Sequence, residues 1–305
     1  MSALAGLKAV LLATDFSEAS AKPLRHALAI ARHYHAKFYL VHVVSSLGFT
    51  IAGAQAKGMV SDAVERDARQ LEQGLLASGA LAGLKHEFII REGDIWTELD
   101  GVIRQKNVDL VVVGTHGRGT LEKLLLGSVA EQIFRHADCP VLTVGPHSRQ
   151  ESPLENGREM RPFLFATDFS VHSVHALPHA VSFANHFKAK LCFLHVAPTV
   201  PIPEGFHWST TGDIPEMRGD ARTTALRRFE ELAPQYAALS VEPELMVEFG
   251  KPGELILHTA KSLQADAIIM GLHHSIHAEA ASHMPWATAY HVVCAASCSV
   301  LTIRS

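Results

Sequence analysis

The sequence predicts an α/β protein built as two consecutive doubly wound domains, each around a five-stranded parallel sheet. Three observations carry this expectation: the chain is written twice, each copy alternates short apolar runs with amphipathic stretches, and glycines cluster where an apolar run ends. Residues 8–43 and 161–196 align at a constant offset of 153 without a gap, and 16 of the 36 positions are identical. Unrelated stretches of that length would share about two, so the agreement marks a duplication. The second halves align with small gaps, "EGDIWTELDGVIRQKNVDLVVVGTHG" answering "FGKPGELILHTAKSLQADAIIMGLHH". The copies run over 1–147 and 160–305, and the polar stretch "SRQESPLENGRE", residues 148–159, is the linker.

Each element follows from its own pattern. "AVLLAT" is a continuous apolar run, typical of a strand covered on both faces. Ser17 is placed to cap the next helix, whose apolar face reads Leu24, Ala27, Leu28, Ala31, Tyr34 at helical spacing. The second copy repeats that face as Leu177, Ala180, Val181, Ala184, Phe187. "KFYLVHVV" is strand two, followed by a helix over 62–77 and a third strand, "HEFIIRE". A helix over 96–106 leads to "VDLVVVGT", a further helix follows Gly127, and "PVLTVG" is strand five. Strands alternating with helices at these lengths give a parallel sheet with helices on both faces. In such sheets ligands bind beyond the carboxyl ends of the strands, where the strand order reverses.

Composition narrows the function. The chain has 305 residues, 48% hydrophobic and 19% charged, which suits two globular domains with ample core. A net charge of −4 and the lack of any Lys/Arg-rich run point away from nucleic acid as a partner. No apolar run reaches the roughly 18 residues of a membrane span, and the N-terminus passes straight into a strand pattern rather than a signal peptide. Four cysteines (139, 192, 294, 298) are too few for a disulfide framework, so a reduced, cytoplasmic setting is expected. Cys294 and Cys298 read as small buried hydrophobes. His273, His274, His277 and His283 invite a metal reading, but they match no zinc spacing and the chain holds 20 histidines. No metal site is expected there.

The stretch "GTHGRGTLEKLLLGS" carries the chemistry. Gly114 ends an apolar strand, Gly117 follows three residues later, and Gly127-Ser128 opens a helix. Glycines let backbone approach a ligand without a Cβ in the way. A helix N-terminus offers free N–H groups and a positive dipole end, which favour phosphate, and the Ser128 hydroxyl adds a donor. The loop is no Walker A motif, because no Gly-Lys-Ser/Thr follows. It is no dinucleotide fingerprint either, because Glu122 stands where the third glycine belongs. Tight turns are the plain alternative for these glycines, and capping the first helix is the plain alternative for Asp15.

With "ATDFS" on the first strand and "VHV" on the second, this glycine pattern resembles the ATP-binding branch of the universal stress protein A family, and the resemblance covers both copies. It implies Rossmann-like domains that pair through their last strands, here "CPVLTVG" and "CSVLTIR", as an intramolecular pseudo-dimer with or without further homodimerisation. It also implies an adenine nucleotide, ATP with or without Mg2+, as ligand. Asp15 would bind ribose or phosphate-linked groups, and Val43 would hydrogen-bond adenine through its backbone. Gly114, Gly117, Arg118, Gly127, Ser128 and Val129 would hold ribose and phosphates, with Ala13, Thr14 and His116 completing the set. The second copy keeps Asp168, Val196 and Gly271 but has His274 in place of Gly117 and Trp286-Ala287 in place of Gly127-Ser128. Binding is therefore expected in the first copy alone. No general base or carboxylate pair is placed beside the loop, which points to a stress-response regulator rather than an efficient enzyme. A slow ATP hydrolase and a module for a non-nucleotide small ligand are the alternatives.

Overall fold

A computed structural model describes residues 4, 6–45, 49–115, 126–148, 161–197, 213–272 and 285–304, with backbone alone for 49–58, 60, 61, 213–217, 285 and 286. The first copy runs β1 (Ala9–Ala13), α1 (Ala21–His33), β2 (Lys37–Ser45), α2 (Phe49–Ala77), β3 (His86–Gly93), α3 (Ile95–Lys106), β4 (Leu110–Gly114), α4 (Ser128–His136) and β5 (Val141–Val144). The second runs β6 (Phe163–Ala166), α5 (Val171–Phe187), β7 (Leu191–Ala197), α6 (Asp213–Tyr236), β8 (Glu244–Phe249), α7 (Pro252–Ser262), β9 (Ala267–Leu272), α8 (Pro285–Ala295) and β10 (Ser299–Arg304).

The continuous apolar runs are the central strands. Every residue of β1 and β5 is buried, as a strand with helices on both faces requires. Two elements differ from the sequence expectation. The second helix starts at Phe49 rather than at 62, because Gly53 and Gly58 interrupt the apolar period that would reveal its first turns. Ser17 does not cap α1. A short 3-10 turn, Glu18–Ser20, intervenes, and no side-chain cap bond forms at Ser17 or Ser20. In the second copy the equivalent Ser170 does cap α5, accepting from the Ser173 amide.

Within each copy the pairing is parallel, and the strand order is 3-2-1-4-5 in the first. The edges then meet. β5 and β10 pair antiparallel, with Leu142 opposite Leu301, and fuse the two sheets into one of ten strands, β3-β2-β1-β4-β5-β10-β9-β6-β7-β8. Thr143 Oγ1 donates to the Val300 carbonyl at 3.1 Å, and Thr302 Oγ1 to the Val141 carbonyl at 3.3 Å. This is the intramolecular pseudo-dimer that the sequence predicts. One core layer on each face of the sheet runs across both copies.

The same pseudo-twofold brings α1 and α5 together. Equivalent residues meet at their C-terminal ends: Tyr34 stacks on His186 with ring centroids 3.7 Å apart, His33 stacks on Phe187 at 4.6 Å, and His33 meets His186 edge-on at 4.6 Å. Further back on these helices His26 and His179 are both buried. A copy expressed alone would bare β5 or β10 together with these apolar helix faces. Residues 1–147 and 160–305 made separately should therefore self-associate or aggregate in sedimentation velocity. Two monomeric halves that never bind each other would remove this pairing as the basis of assembly.

Candidate functional site

The site is best built from β1 outward. The first strand stops at Ala13, level with Val41 of β2 and Val113 of β4. β2 continues four residues further and stays paired with β3 as far as Ser45. On the β1 side the end of β2, Val43 included, therefore extends past its neighbour. β1 lies between β2 and β4, and the chain leaves these strands in opposite directions, so the strand order reverses here.

The turn after β1 is locked from several sides. The Thr14 amide donates to the Val41 carbonyl at 3.0 Å, and Thr14 Oγ1 accepts from the Phe16 amide at 3.1 Å. Asp15 Oδ1 accepts from the Ser17 amide (2.9 Å), the Ser17 hydroxyl (2.6 Å) and the Ser20 hydroxyl (2.8 Å). These bonds tie the carboxylate to the segment that leads into α1 and hold it in place, while the N-cap positions of the 3-10 turn and of α1 are Ser17 and Ser20. Phe16 sits at φ 56°, a left-handed conformation costly for a side chain of its size. His42 supports it: the ring lies 4.9 Å from that of Phe16, and Nδ1 is 2.7 Å from the Thr14 carbonyl. The second copy repeats the phenylalanine–histidine part of this turn. Phe169 is at φ 59°, its ring is 4.5 Å from that of His195, and His195 Nδ1 is 2.9 Å from the Thr167 carbonyl. His42 and His195 stand at the offset of 153, each before a valine at the end of its strand. Both brace the turn, and their repetition at the offset of 153 was the available signal.

On the other side of β1, Gly114 ends β4, paired with Val144 of β5. Thr115, fully buried, was missed by the sequence reading. Its carbonyl accepts from the Gly127 amide at 2.9 Å, and its own amide donates to Val144 at 3.2 Å. Thr115 thereby draws the N-terminus of α4 to the carboxyl end of β4. Gly127 is the N-cap of α4, with φ −58° and no side-chain cap, and Ser128, the first helical residue, is exposed. Gly127 does not need glycine for its backbone angle. The structure thus gathers Ala13, Thr14, Asp15, Val43, Gly114, Gly127, Ser128 and Val129 at one edge of the first copy's sheet. His116, Gly117 and Arg118 lie outside the described residues.

The matching edge of the second copy is built differently. Asp168 is exposed and accepts the Ser170 amide at 2.9 Å. Gly271 ends close to the first turn of α5: a Cβ there would lie 2.3 Å from the His172 carbonyl oxygen and 2.6 Å from Ser173 Cα. Trp286 is the second residue of α8, and Ala287 brings no hydroxyl to its first turn. His273, His274, His277 and His283 lie outside the described residues. Among the described residues no group of three or more His, Cys, Asp or Glu could hold a metal ion. No helix of the described residues is long and apolar enough to cross a membrane. All four cysteines are free thiols; Cys294 and Cys298 are buried, and burial pushes the Cys298 thiol up to about 12, so neither behaves as a reactive thiolate.

Comparison with known proteins follows this architecture. A mycobacterial universal stress protein, from Mycolicibacterium smegmatis, is 26% identical over 276 residues, covering 87% of this chain and 86% of its own. A universal stress protein of Methanocaldococcus jannaschii is 32% identical over 140 residues, 45% of this chain and 81% of its own. Among solved structures, a universal stress protein of Archaeoglobus fulgidus superposes with a TM-score of 0.67 at 22% identity, covering 98% of this chain and 97% of that one. The sequence profile of the Universal stress protein family matches twice, over residues 6–145 and 159–304. With the duplication, the ten-stranded sheet and this double match, the chain belongs to the universal stress protein family and carries two tandem copies of its domain.

Proposed function

We propose that the first copy binds one adenine nucleotide, ATP, in the crevice between the ends of β1 and β4, and that the protein acts as a nucleotide-dependent stress-response regulator. The observation that carries this reading is the Thr115–Gly127 hydrogen bond, which sets the open end of α4 beside the braced Asp15 turn. First-turn amides of α4 and the Ser128 hydroxyl would take the phosphates, helped by the positive end of the helix dipole. The end of β2 at Val43 supplies backbone groups for the adenine edge. Asp15, held by Ser17 and Ser20, would meet ribose without first having to be ordered. His116, Gly117 and Arg118 join the set by their place in the motif, and Mg2+ would come with the phosphates. Nothing placed beside the crevice among the described residues is a general base aimed at a phosphorus, so binding rather than turnover is the stronger reading.

Calorimetric titration with ATP should give one site per chain. Ser128→Ala removes a hydrogen bond to a charged group, worth about 1.5–3 kcal/mol, and should weaken binding about 10–150-fold. Gly127→Val should abolish it, with little change in the melt of the ligand-free protein. His274→Ala should leave it unchanged. Two sites of similar affinity, or normal binding by Gly127→Val, would remove this reading. Following released ADP in the same samples decides against or for the slow-hydrolase alternative.

A further inference from the structure

A second cavity lies on the other face of the same sheet. The side chains of Ala13, Val43 and Val129 belong to the core layer under α3 and α4, whereas Leu12, Leu24 and Leu40 belong to the layer under α1 and α2. Successive side chains of a strand point to opposite faces, so adjacent residues serve the two sides. Between α1, α2 and the sheet is a cleft of about 500 Å³, floored by Leu12 and Leu40 and walled by Phe16, Leu71 and Leu75; it reaches Thr14, Ser17 and Ser20 of the turn after β1 at one end and the exposed Asp67 and Gln70 at its rim. That volume is in the range of small-molecule sites, about 300–1,000 Å³.

The second copy shows what this space holds when it is closed. At the offset of 153, Leu12 becomes Phe165, Phe16 becomes Phe169 and Leu40 becomes Phe193. Phe229 of α6 fills the gap above them, its ring 4.9 Å from that of Phe169 and 5.9 Å from that of Phe193, and Tyr236 adds a second ring 5.0 Å from Phe193. Phe165, Phe193 and Phe229 have no exposed surface. Among the described side chains of α2 in the first copy, no aromatic ring takes that place. Residues 62–77 of α2 contain no aromatic side chain, Leu71 and Leu75 are only partly buried, and a Cβ added at Gly74 would meet no atom within 4 Å.

We infer that the first copy's cleft is a second ligand site, distinct from the nucleotide crevice, for a small, mainly apolar molecule carrying an aromatic ring and one hydroxyl or N–H donor. The ring takes the place that Phe229 takes in the second copy, against Phe16, at the centroid spacing of about 4.5–7 Å that aromatic pairs favour. The donor faces the acceptors of the Asp67–Gln70 rim. One chain thus carries a filled version of the pocket and an open one.

The test uses the full chain and the fluorescent probe N-phenyl-1-naphthylamine, which has an aryl ring and a single N–H. Titration should show one saturable site per chain. The double variant Leu12→Phe/Leu40→Phe copies the second copy's residues into the cleft and should weaken the probe at least tenfold, while ATP binding stays as in the wild type. Gly74→Phe closes the cleft from an exposed helix position and should do the same, which keeps the test open should the double variant fail to fold. Non-saturable binding to the wild type, or unchanged probe affinity in folded variants, overturns the assignment. Loss of ATP binding by Gly127→Val with the probe site intact separates the two sites.

Discussion

Lowering the pH from 7 to 4.5 is expected to cost the folded protein about 2 kcal/mol through His26 alone. Burial pushes the His26 imidazole down to about 4; nearby Asp266, from the second copy, opposes this and Lys22 adds to it. Its Nε2 has no hydrogen-bond partner among the described residues. The unfolded chain titrates near 6.5, so between 6.5 and about 4 it binds a proton that the folded chain excludes. Stability is therefore complete above pH 6.5 and falls as the pH drops through that window, at up to 1.36 kcal/mol per pH unit. The equivalent His179 is lowered by burial and by His175, and His186, at the meeting of α1 and α5, by burial and by His33. They act in the same direction. Urea unfolding at a series of pH values measures the slope, and His26→Leu should flatten it. A wild-type midpoint that is unchanged between pH 7 and 4.5 would contradict the placement of these histidines.

The second large effect concerns Gly271. Replacing it by alanine should destabilise the protein by about 3 kcal/mol, since the new methyl would press on backbone atoms of α5 that have no rotamer to yield. In a protein of this size that is roughly 5 °C in the melting temperature. Gly101, inside α3, is the control: a Cβ there meets nothing, and Gly101→Ala should stabilise by about 0.5–1 kcal/mol. If Gly271→Ala melts like the wild type, α5 does not pack onto β9 as described. The result also bears on the motif. Gly271 is the counterpart of Gly114, in a copy that lacks Gly127 and Ser128 equivalents. A packing reason for glycine at this position exists there without any nucleotide.

The sequence by itself determined the duplication, the β/α alternation, the strand that ends at Gly114 and the helix that opens at Ser128. Each of these is a local signal: a period of two or 3.6, a run of apolar residues, a glycine beside a serine. The fusion of the two sheets was expected from the family resemblance together with two apolar terminal strands, whose edges invite pairing. Local patterns fail where a contact joins residues far apart in the chain. The Thr115 tie to Gly127, the stacking of Tyr34 on His186 and the burial of His26 near Asp266 depend on how helices settle on the sheet, not on any short spacing. The same holds for the open cleft. Leu12 and Leu40 look like ordinary core residues until Phe165 and Phe193 show, at the same places, how much more that space can hold. Packing is a sum over neighbours that only the tertiary structure brings together, so it alone decided which copy is filled and which stays open.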